Sequence, residues 1–479
     1  GIPGTPIAGP PAPWAPYYHA VVAYNGYLYL LGGKVAGTGA QVATVSYCTI
    51  NADGSLGAWT PTTAMPLPYA WFNNMCFGYG GYIYIVGGGI PSTQYDVWYS
   101  KQNPDGTLGE WKKGTPMPQP AYALGRDMGS CIAVDGYICL QGGEDNNGAL
   151  YKQSLMSRLN ADGSNGPWFE SSQLSYNRWM NRAASNNHVV YNYCGYESGV
   201  AFFNTVDVAS AMPNGQLTRM IKATDVPGHE DASSGQNHSE PAAGLAAGKL
   251  LTATGRYGGN NPNPLIEYSK IAQDGYPGPF VTSTEVWPVS TIDLDGAVYN
   301  NTLYGIGGRL TYGATDSVNN VVILPMVDDP EDPNYVFAGT LDSSIIDFGV
   351  ATNLKNIAIS KSGGGNVEFR YRYAGDNAVF SDWMTVTGTS QPISGGARYI
   401  QYQLVLTGDG TTTPTVNSVT ITTEAGAIVY NKTDVENALK IAGGLVQASA
   451  ADKARLDKDA DGAITLKDAA VINRMINSL

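Results

Sequence analysis

The sequence predicts a mainly β protein whose largest part is a six-bladed β-propeller, followed by a jelly-roll-like β-sandwich and a small α-helical calcium-binding domain. Three observations support this prediction. A sequence phrase recurs at a fixed period, each phrase contains a strand-like alternation, and an acidic loop near the C-terminus has the spacing of a calcium site. The chain of 479 residues is long enough for two or three domains.

The repeated phrase is an aromatic-rich strand ending in Gly-Gly, then an Asp-Gly turn, then a Trp. The second glycines of the clear doublets are Gly33, Gly88, Gly143 and Gly308. The first two give a period of 88 − 33 = 55 residues, and the last two lie 308 − 143 = 165 residues apart, which is three periods. Two degenerate copies are therefore expected between them, and segments 187–195 and 248–255 fit. The sequence thus contains six units.

Each unit is predicted to form four short strands. Residues 27–30 (Tyr-Leu-Tyr-Leu) alternate with a period of two, and Asp53-Gly54 is a strong hairpin signal. Four-stranded units repeated radially form a propeller. The sixth unit ends near Pro325 without a turn or Trp strand, while the segment around Trp14 at the start of the chain has no unit of its own. We therefore expect the N-terminus to supply the fourth strand of the last blade.

The glycine doublets and the downstream Trp59 and Trp111 resemble the kelch-repeat family, which includes the galactose-oxidase-like propellers. The resemblance covers about residues 12–327 and is weakest in units four and five. It implies a kelch-type propeller over residues 1–327, in which the doublets, turns and tryptophans are scaffold.

Composition restricts the possible functions. Charged residues make up 14% of the chain and the net charge is −13, so neither a nucleic-acid partner nor an anionic membrane is expected. No apolar run approaches the roughly 20 residues of a membrane span. The polar, turn-rich composition is typical of extracellular β proteins, and the absence of a starting Met suggests a removed signal peptide. We therefore expect an extracellular or cell-surface location.

Five cysteines occur, and Cys76, Cys131, Cys139 and Cys194 sit within apolar strand patterns. Buried free thiols are the simplest interpretation of these four positions. Cys131 and Cys139, across one predicted hairpin, are the pair that we would test for a disulfide.

Beyond the propeller, residues 328–333 form an acidic, proline-containing linker. Residues 334–426 are strand-like again, and the strict alternation of 367–373 predicts a β-sandwich. Ser381-Asp382-Trp383 and the segment 397–403 resemble galactose-binding-like modules of secreted proteins. Residues 427–479 are predicted to be helical.

The C-terminal region contains a twelve-residue acidic loop beginning at Asp457. Alternating carboxylates followed by a glycine provide the oxygen ligands and the sharp turn that Ca²⁺ needs. The predicted ligands are Asp457, Asp459, Asp461, Ala463 through its carbonyl, Thr465 and Asp468. The sequence therefore predicts Ca²⁺ as the cofactor.

Asp rather than Glu at the last position of this loop, and the helix pattern after it, resemble dockerins. A matching helix begins at Asp434, an offset of 468 − 434 = 34 residues, but the loop before it lacks acidic ligands, so one calcium is expected. The resemblance places Leu466, Lys467, Asn473 and Arg474 toward a partner. That partner would be a cohesin-like domain or another copy of the chain.

Loops at one end of the propeller carry candidate ligand-binding residues. Aromatic, arginine and carboxylate side chains can stack on and hydrogen-bond to sugars. The candidates are His19, Trp71, Arg126, Asp127, Arg178, Trp179, His238, Glu240, Arg256 and Arg309, with Lys34, Arg182 and Asp293 beside them. Glu240 with Asp293 would also suit a glycosidase, and His19 with His238 a lyase, although rim residues of a propeller are polar without being catalytic.

Three functions remain open on the sequence alone. The favoured one is a binding protein that recognises a glycan or protein through the propeller and the sandwich and is attached through the calcium-dependent tail. A secreted glycosidase or lyase is the second. A subunit that assembles into a surface layer or filament is the third.

Overall fold

A computed structural model describes the chain outside some loops and the C-terminal region. The described residues are 1–66, 75–89, 94–118, 125–186, 188–197, 201–202, 205–225, 239–257, 261–272, 274–313, 315–327, 338–343, 345–375, 378–408, 414–424 and 426–429. All regular structure in these residues is β-strand. The mainly β prediction is confirmed. The small helical domain has no support among the described residues, because nearly all of segment 427–479 lies outside them.

Two compact units are present: Gly1–Lys101, Leu108–Leu159 and Gly163–Pro333 form the first, and Asn334 onward, with the short turns Gln102–Thr107 and Asn160–Asp162, the second. In the described part of the first unit, six antiparallel sheets each contain one copy of the repeat. Blades 1–3 consist of Ala20–Tyr24, Tyr27–Leu31, Val45–Thr49, Thr60–Thr62; Cys76–Tyr79, Tyr82–Val86, Val97–Gln102, Leu108–Lys113; and Ser130–Val134, Tyr137–Gln141, Gln153–Leu159, Asn165–Gln173.

The remaining blades follow the same plan, with each strand paired to the next one in its blade. Blades 4–6 consist of Arg182–Asn186, Val189–Tyr193, Thr205–Ser210, Ile221–Asp225; Ala242–Ala246, Lys249–Ala253, Leu265–Ile271, Pro277–Val286; and Asp295–Tyr299, Thr302–Ile306, Val321–Val327. The first strand of each blade contacts the first strand of the next, and that of blade 6 contacts that of blade 1. The sheets therefore form a closed ring.

The N-terminal segment completes blade 6. Ile2–Pro3 and Ile7–Ala8 both pair antiparallel with Val321–Val327. Trp14, which the sequence suggested as the centre of this strand, lies after both pairings. The N-terminal segment forms the outer strand of blade 6, and one contact with blade 1 agrees with this position. Trp59 of blade 1 donates its indole N–H to the Pro10 carbonyl at 3.2 Å.

Most residues of the repeated phrase have a structural role in the propeller. Trp111 donates to Thr63 O at 3.2 Å and Trp168 to Thr115 O at 2.9 Å, so each tryptophan ties its outer strand to the preceding blade. Tyr304 donates to Gly54 O at 2.9 Å, which joins blade 6 to the Asp-Gly turn of blade 1. These contacts cross blade boundaries, and they therefore stabilise the ring as well as the single sheets.

The second unit contains one seven-stranded sheet among its described residues. The strand Ser390–Thr407 pairs along its second half with Asn366–Ala374, and along its first half with Ile346–Ser362. Buried Ile357, Phe369 and Ile400 form part of its core. The strands are Ala338–Asp342, Ile346–Ser362, Asn366–Ala374, Met384–Thr385, Ser390–Thr407, Thr415–Thr423 and Gly426–Val429. The sheet is continuous, and the two-layer sandwich stays a prediction.

The five cysteines are all buried and free. Cys131 lies opposite Leu140, and Cys139 lies opposite Ile132, so the pair that we would have tested for a disulfide is diagonal in the hairpin. Burial raises the pKa of the Cys139 thiol to about 12. Such thiols are poor nucleophiles at neutral pH.

Candidate functional site

In each blade, strand 2 is antiparallel to strand 1 and is followed by the glycine doublet. The doublet therefore lies at the same end of the propeller as the start of strand 1. At this end, the residue after the doublet pairs with a residue just before strand 1. The pairs are Tyr17–Lys34, Asp127–Glu144, Trp179–Tyr196, Ser239–Arg256 and Ile292–Arg309. We call these pairs, together with the loops that carry them, the mouth.

The residue that follows the first member of each pair has a left-handed backbone. Its φ is 53° at Tyr18, 48° at Met128, 57° at Met180, 56° at Glu240 and 57° at Asp293. This conformation costs a non-glycine residue roughly 1–2 kcal/mol. It recurs in five blades, so it belongs to the scaffold, but blades 5 and 6 place a carboxyl side chain at this position.

Those two carboxyls lie in a buried cluster of charges. Both Glu240 and Asp293 are fully buried, and Oε2 of Glu240 accepts the backbone N–H of Asp293 at 3.2 Å. Arg309 forms an ion pair with Asp293 through two of its nitrogens. Arg256 lies 3.4 Å from Asp293 and 3.6 Å from Glu240. Two arginines from neighbouring blades therefore compensate one pair of acids.

Tyrosine rings surround the two guanidinium groups. Arg309 donates to the Tyr18 hydroxyl at 2.8 Å, and its guanidinium carbon lies 4.9 Å from the centre of the Tyr17 ring. The centre of the Tyr312 ring lies 4.5 Å from the guanidinium carbon of Arg256 and 5.7 Å from that of Arg309. Cations over aromatic faces at such distances attract each other, most strongly where water is excluded.

Burial and neighbouring charges shift the pKa values in this cluster. Burial, followed by the Glu240 carboxyl, raises the pKa of Asp293, and the two arginines only partly oppose this. Burial and the nearby Asp293 and Glu240 also raise the pKa of the Tyr18 hydroxyl. Burial and the nearby Arg309 lower the pKa of Lys34. The Asp293 carboxyl therefore keeps a proton to higher pH than a solvated aspartate would.

Arg126 and Arg178 are scaffold rather than ligand-binding residues. Both side chains are fully buried. Arg126 donates to Gly142 O and Gln153 O, each at 3.1 Å. Arg178 makes the equivalent bonds in blade 4 and also pairs with Asp207 at 2.8 Å. Each arginine therefore caps carbonyls of its own blade, and neither reaches solvent for a ligand.

The remaining predicted residues divide into three groups. His19 is fully buried, and burial lowers the pKa of its imidazole to about 3, so it is neutral and enclosed. Asp127 is buried at the mouth, whereas Trp179 is half-buried there with its ring centre 6.2 Å from that of Tyr196. Trp71 and His238 lie outside the described residues.

Sequence reasoning missed two residues near this end of the propeller. Asp295 accepts the backbone N–H of Val21 at 2.9 Å and lies 3.7 Å from Arg182, so it links blades 4, 6 and 1. Tyr312 is 49% exposed and covers both arginines of the cluster. Asp295 stands at the start of the first strand of blade 6, and this place in the repeat is the signal that its side chain points inward. Nothing in the local sequence indicates the cover formed by Tyr312.

The predicted calcium ligands from Asp457 to Asp468 and the partner residues Leu466, Lys467, Asn473 and Arg474 lie outside the described residues. Within the part of the chain that the structure describes, no group of three His, Cys, Asp or Glu side chains could hold a metal ion. The same part has no helix of the length and hydropathy that crossing a membrane would require.

The ring of four-stranded blades and the doublet geometry define a kelch-like β-propeller fold. The solved structure of YjhT agrees, with a TM-score of 0.51 at 15% sequence identity over 67% of this chain and 98% of that chain. Over 142 residues the chain is also 28% identical to Kelch repeat and BTB domain-containing protein 12 of Danio rerio. That match covers 27% of this chain and 22% of that protein. No protein-family model matches the chain.

Proposed function

We propose that this chain is an extracellular or cell-surface binding protein that recognises a glycan or protein partner through the mouth of its propeller, and that a calcium-dependent tail attaches it to a further partner. Kelch-type similarity favours a protein-interaction or sugar-related role. The propeller part of the proposal depends on one observation, which is the set of aromatic side chains exposed at the mouth.

The mouth exposes aromatic rings from several blades. At the mouth, Tyr176 is 42% exposed and Tyr312 49%, and Tyr18 and Trp179 are half-buried; Tyr95, in the equivalent loop of blade 2, is 38% exposed. Tyrosine and tryptophan combine a large apolar face with a polar tip, so they bind partners at a low cost in conformational entropy. Three of these positions, Tyr95, Tyr176 and Tyr312, come from loops whose lengths differ between blades, as expected of a recognition surface on a rigid scaffold.

The charged residues at the mouth do not favour a glycosidase. In a glycosidase, the two catalytic carboxyls stand roughly 5–9.5 Å apart, on either side of the bound sugar. Here the Glu240 carboxyl accepts the backbone N–H of Asp293, both carboxyls are fully buried, and Arg256 and Arg309 form ion pairs with them. Binding therefore accounts for the geometry better than hydrolysis.

The test is a binding screen of the full-length chain on glycan and peptide arrays, repeated with Tyr312→Ala. Tyr276→Ala is the matched control, because Tyr276 is 40% exposed in the strand 3–4 turn of blade 5, at the other end of the propeller. We expect Tyr312→Ala to weaken ligand binding at least tenfold and Tyr276→Ala to leave it unchanged. Equal effects of the two substitutions, or no ligand on either array, would refute recognition through the mouth.

A further inference from the structure

The hairpin turns between strands 1 and 2 lie at the end of the propeller opposite the mouth, and the turn of blade 6 differs from the others in sequence. It is followed at once by a threonine and reads Asn300-Asn301-Thr302. None of the other five turns has an asparagine with serine or threonine two residues later. This triplet, with any residue except proline in the middle, is the acceptor signal for N-linked glycans.

Asn300 has the exposure that an acceptor side chain needs. It is the first residue of a two-residue turn that joins Asp295–Tyr299 to Thr302–Ile306, and it is exposed. Positive φ values of 45° at Asn300 and 57° at Asn301 describe a tight type I′ turn. The Asn300 side-chain amide makes no hydrogen bond to the residues that the structure describes. A sugar on its Nδ2 would therefore extend into solvent without breaking a contact of the described fold.

The neighbouring Asn301 has a structural role instead. Its side-chain carbonyl accepts the backbone N–H of Ala247 at 2.8 Å, and its backbone carbonyl accepts that of Met326 at 3.0 Å. These bonds fix the turn of blade 6 to the corresponding turn of blade 5 and to strand 3 of its own blade. Of the two adjacent asparagines, the first in the triplet is therefore the one that is available for modification.

Packing in the propeller does not explain Thr302. Blades 1 to 3 have a tyrosine at this position, and the Tyr82 ring packs on Gly163 in the strand 3–4 turn of the following blade. In blade 6 the smaller Thr302 is buried beside Gly54 of the corresponding turn and fills less of this contact. The left-handed backbone favours an asparagine at position 300, but only the glycosylation triplet accounts for both residues.

We propose that Asn300 is an N-glycosylation site. In the transfer, Asn300 Nδ2 forms a bond to C1 of a sugar, the bond from C1 to the pyrophosphate of a lipid-linked oligosaccharide breaks, the lipid pyrophosphate leaves, and the amide loses one proton to solvent. Because Thr302 is buried in the folded chain, the transferase must recognise the triplet before blade 6 packs.

The inference rests on the extracellular or cell-surface location in the proposed function, since this modification marks surface loops of secreted proteins. It does not depend on what the propeller binds. The glycan lies at the end of the propeller away from the mouth, so it leaves the mouth open to a ligand.

The experiment is peptide mapping by mass spectrometry of the full-length chain, recovered from the surface and the medium of the cells that produce it. Four variants are expressed in the same cells. Asn300→Gln removes the acceptor, Thr302→Val removes the hydroxyl but keeps the branched shape, and Thr302→Ser keeps the triplet. Asn25→Gln is the matched control, because Asn25 is the first residue of the corresponding turn in blade 1 and is followed by Gly and Tyr.

We expect a covalent glycan on Asn300 in the wild type, in Thr302→Ser and in Asn25→Gln, and its loss in Asn300→Gln and Thr302→Val. An unmodified Asn300 in chain recovered outside the cell, or a sugar that persists there in Thr302→Val, overturns the inference and leaves recognition through the mouth intact. A glycan on Asn300 with no ligand on either array supports the inference and removes recognition through the mouth. Chain retained inside the cell without a sugar contradicts both the location and the inference.

Discussion

The buried acid pair at the mouth makes the stability of the propeller depend on pH in an unusual direction. Because burial and Glu240 raise the pKa of Asp293, the folded chain holds a proton that the unfolded chain has already released. Folding stability therefore decreases as the pH rises from the ordinary pKa of an aspartate toward the raised pKa. Asp293→Asn removes this titration, and asparagine tolerates the left-handed backbone at this position.

The size of the effect follows from linkage. One proton bound by the folded chain and absent from the unfolded chain changes the unfolding free energy by about 1.4 kcal/mol per pH unit. Between pH 4.5 and pH 5.5 the wild-type chain should therefore lose up to about 1.4 kcal/mol relative to Asp293→Asn. In this window the protonated Asp293 and the substituted asparagine are both neutral, so the substitution leaves the charge balance around Arg256 and Arg309 unchanged.

The assay is urea denaturation of both proteins in steps of 0.25 pH unit, with the propeller transition followed by tryptophan fluorescence. Asp53→Asn is the control: the Ser55 side-chain and backbone hydrogen bonds lower the pKa of this exposed carboxyl, so its titration acts in the opposite direction. Parallel stability curves for wild type and Asp293→Asn would refute a proton held by Asp293 in the folded chain.

Two further predictions concern the scaffold and the tail. Gly142→Ala should destabilise the chain by roughly 2–4 kcal/mol in thermal or urea unfolding, because φ is +67° and the new Cβ would lie 2.6 Å from the Arg178 carbonyl oxygen; Gly26→Ala, at φ +79° with nothing within 4 Å, should cost only the conformational part, and equal costs would contradict the packing argument. Calcium chelation, or Asp461→Asn, should expose segment 430–479 to hydrogen exchange while the propeller stays protected, because metal binding contributes folding energy; unchanged exchange would contradict the calcium assignment.

The sequence predicted the repeat well because a glycine doublet has a strict backbone requirement. In the two degenerate copies, Cys194 and Thr254 occupy the first glycine position with φ of 60° and 52°, and Gly195 and Gly255 follow. The period therefore locates the turn even where one glycine is missing. The position of the closing strand was less predictable. Ile2–Pro3 and Ile7–Ala8 carry no turn or glycine signal, whereas Trp14 attracts attention by its residue type alone.

The direction of a side chain at the mouth was not predictable from the sequence. Arg178 and Arg256 both belong to connections at this end of the propeller, and their residue type is the same. Arg178 turns into its own blade because Cys194 O, Thr205 O and Asp207 offer acceptors there. Whether such an arginine turns into its own blade, as Arg178 does, or joins the charge cluster, as Arg256 does, depends on contacts across strands that are far apart in the sequence.

The repeat nevertheless indicates where function should be sought, once its positions are compared between blades. The repeated phrase is weakest in blades 4 and 5. In blade 4, Arg178 and Arg182 are buried in scaffold hydrogen bonds, whereas blade 5 contributes Glu240 and Arg256 to the charge cluster. Blade 6 has an intact doublet and still contributes Arg309 and Asp293 to the charge cluster. Degeneracy of the scaffold residues is therefore only a partial guide to the functional site. A better guide is a change of residue type at one fixed scaffold position, since the backbone is the same in every blade and only the side chain differs.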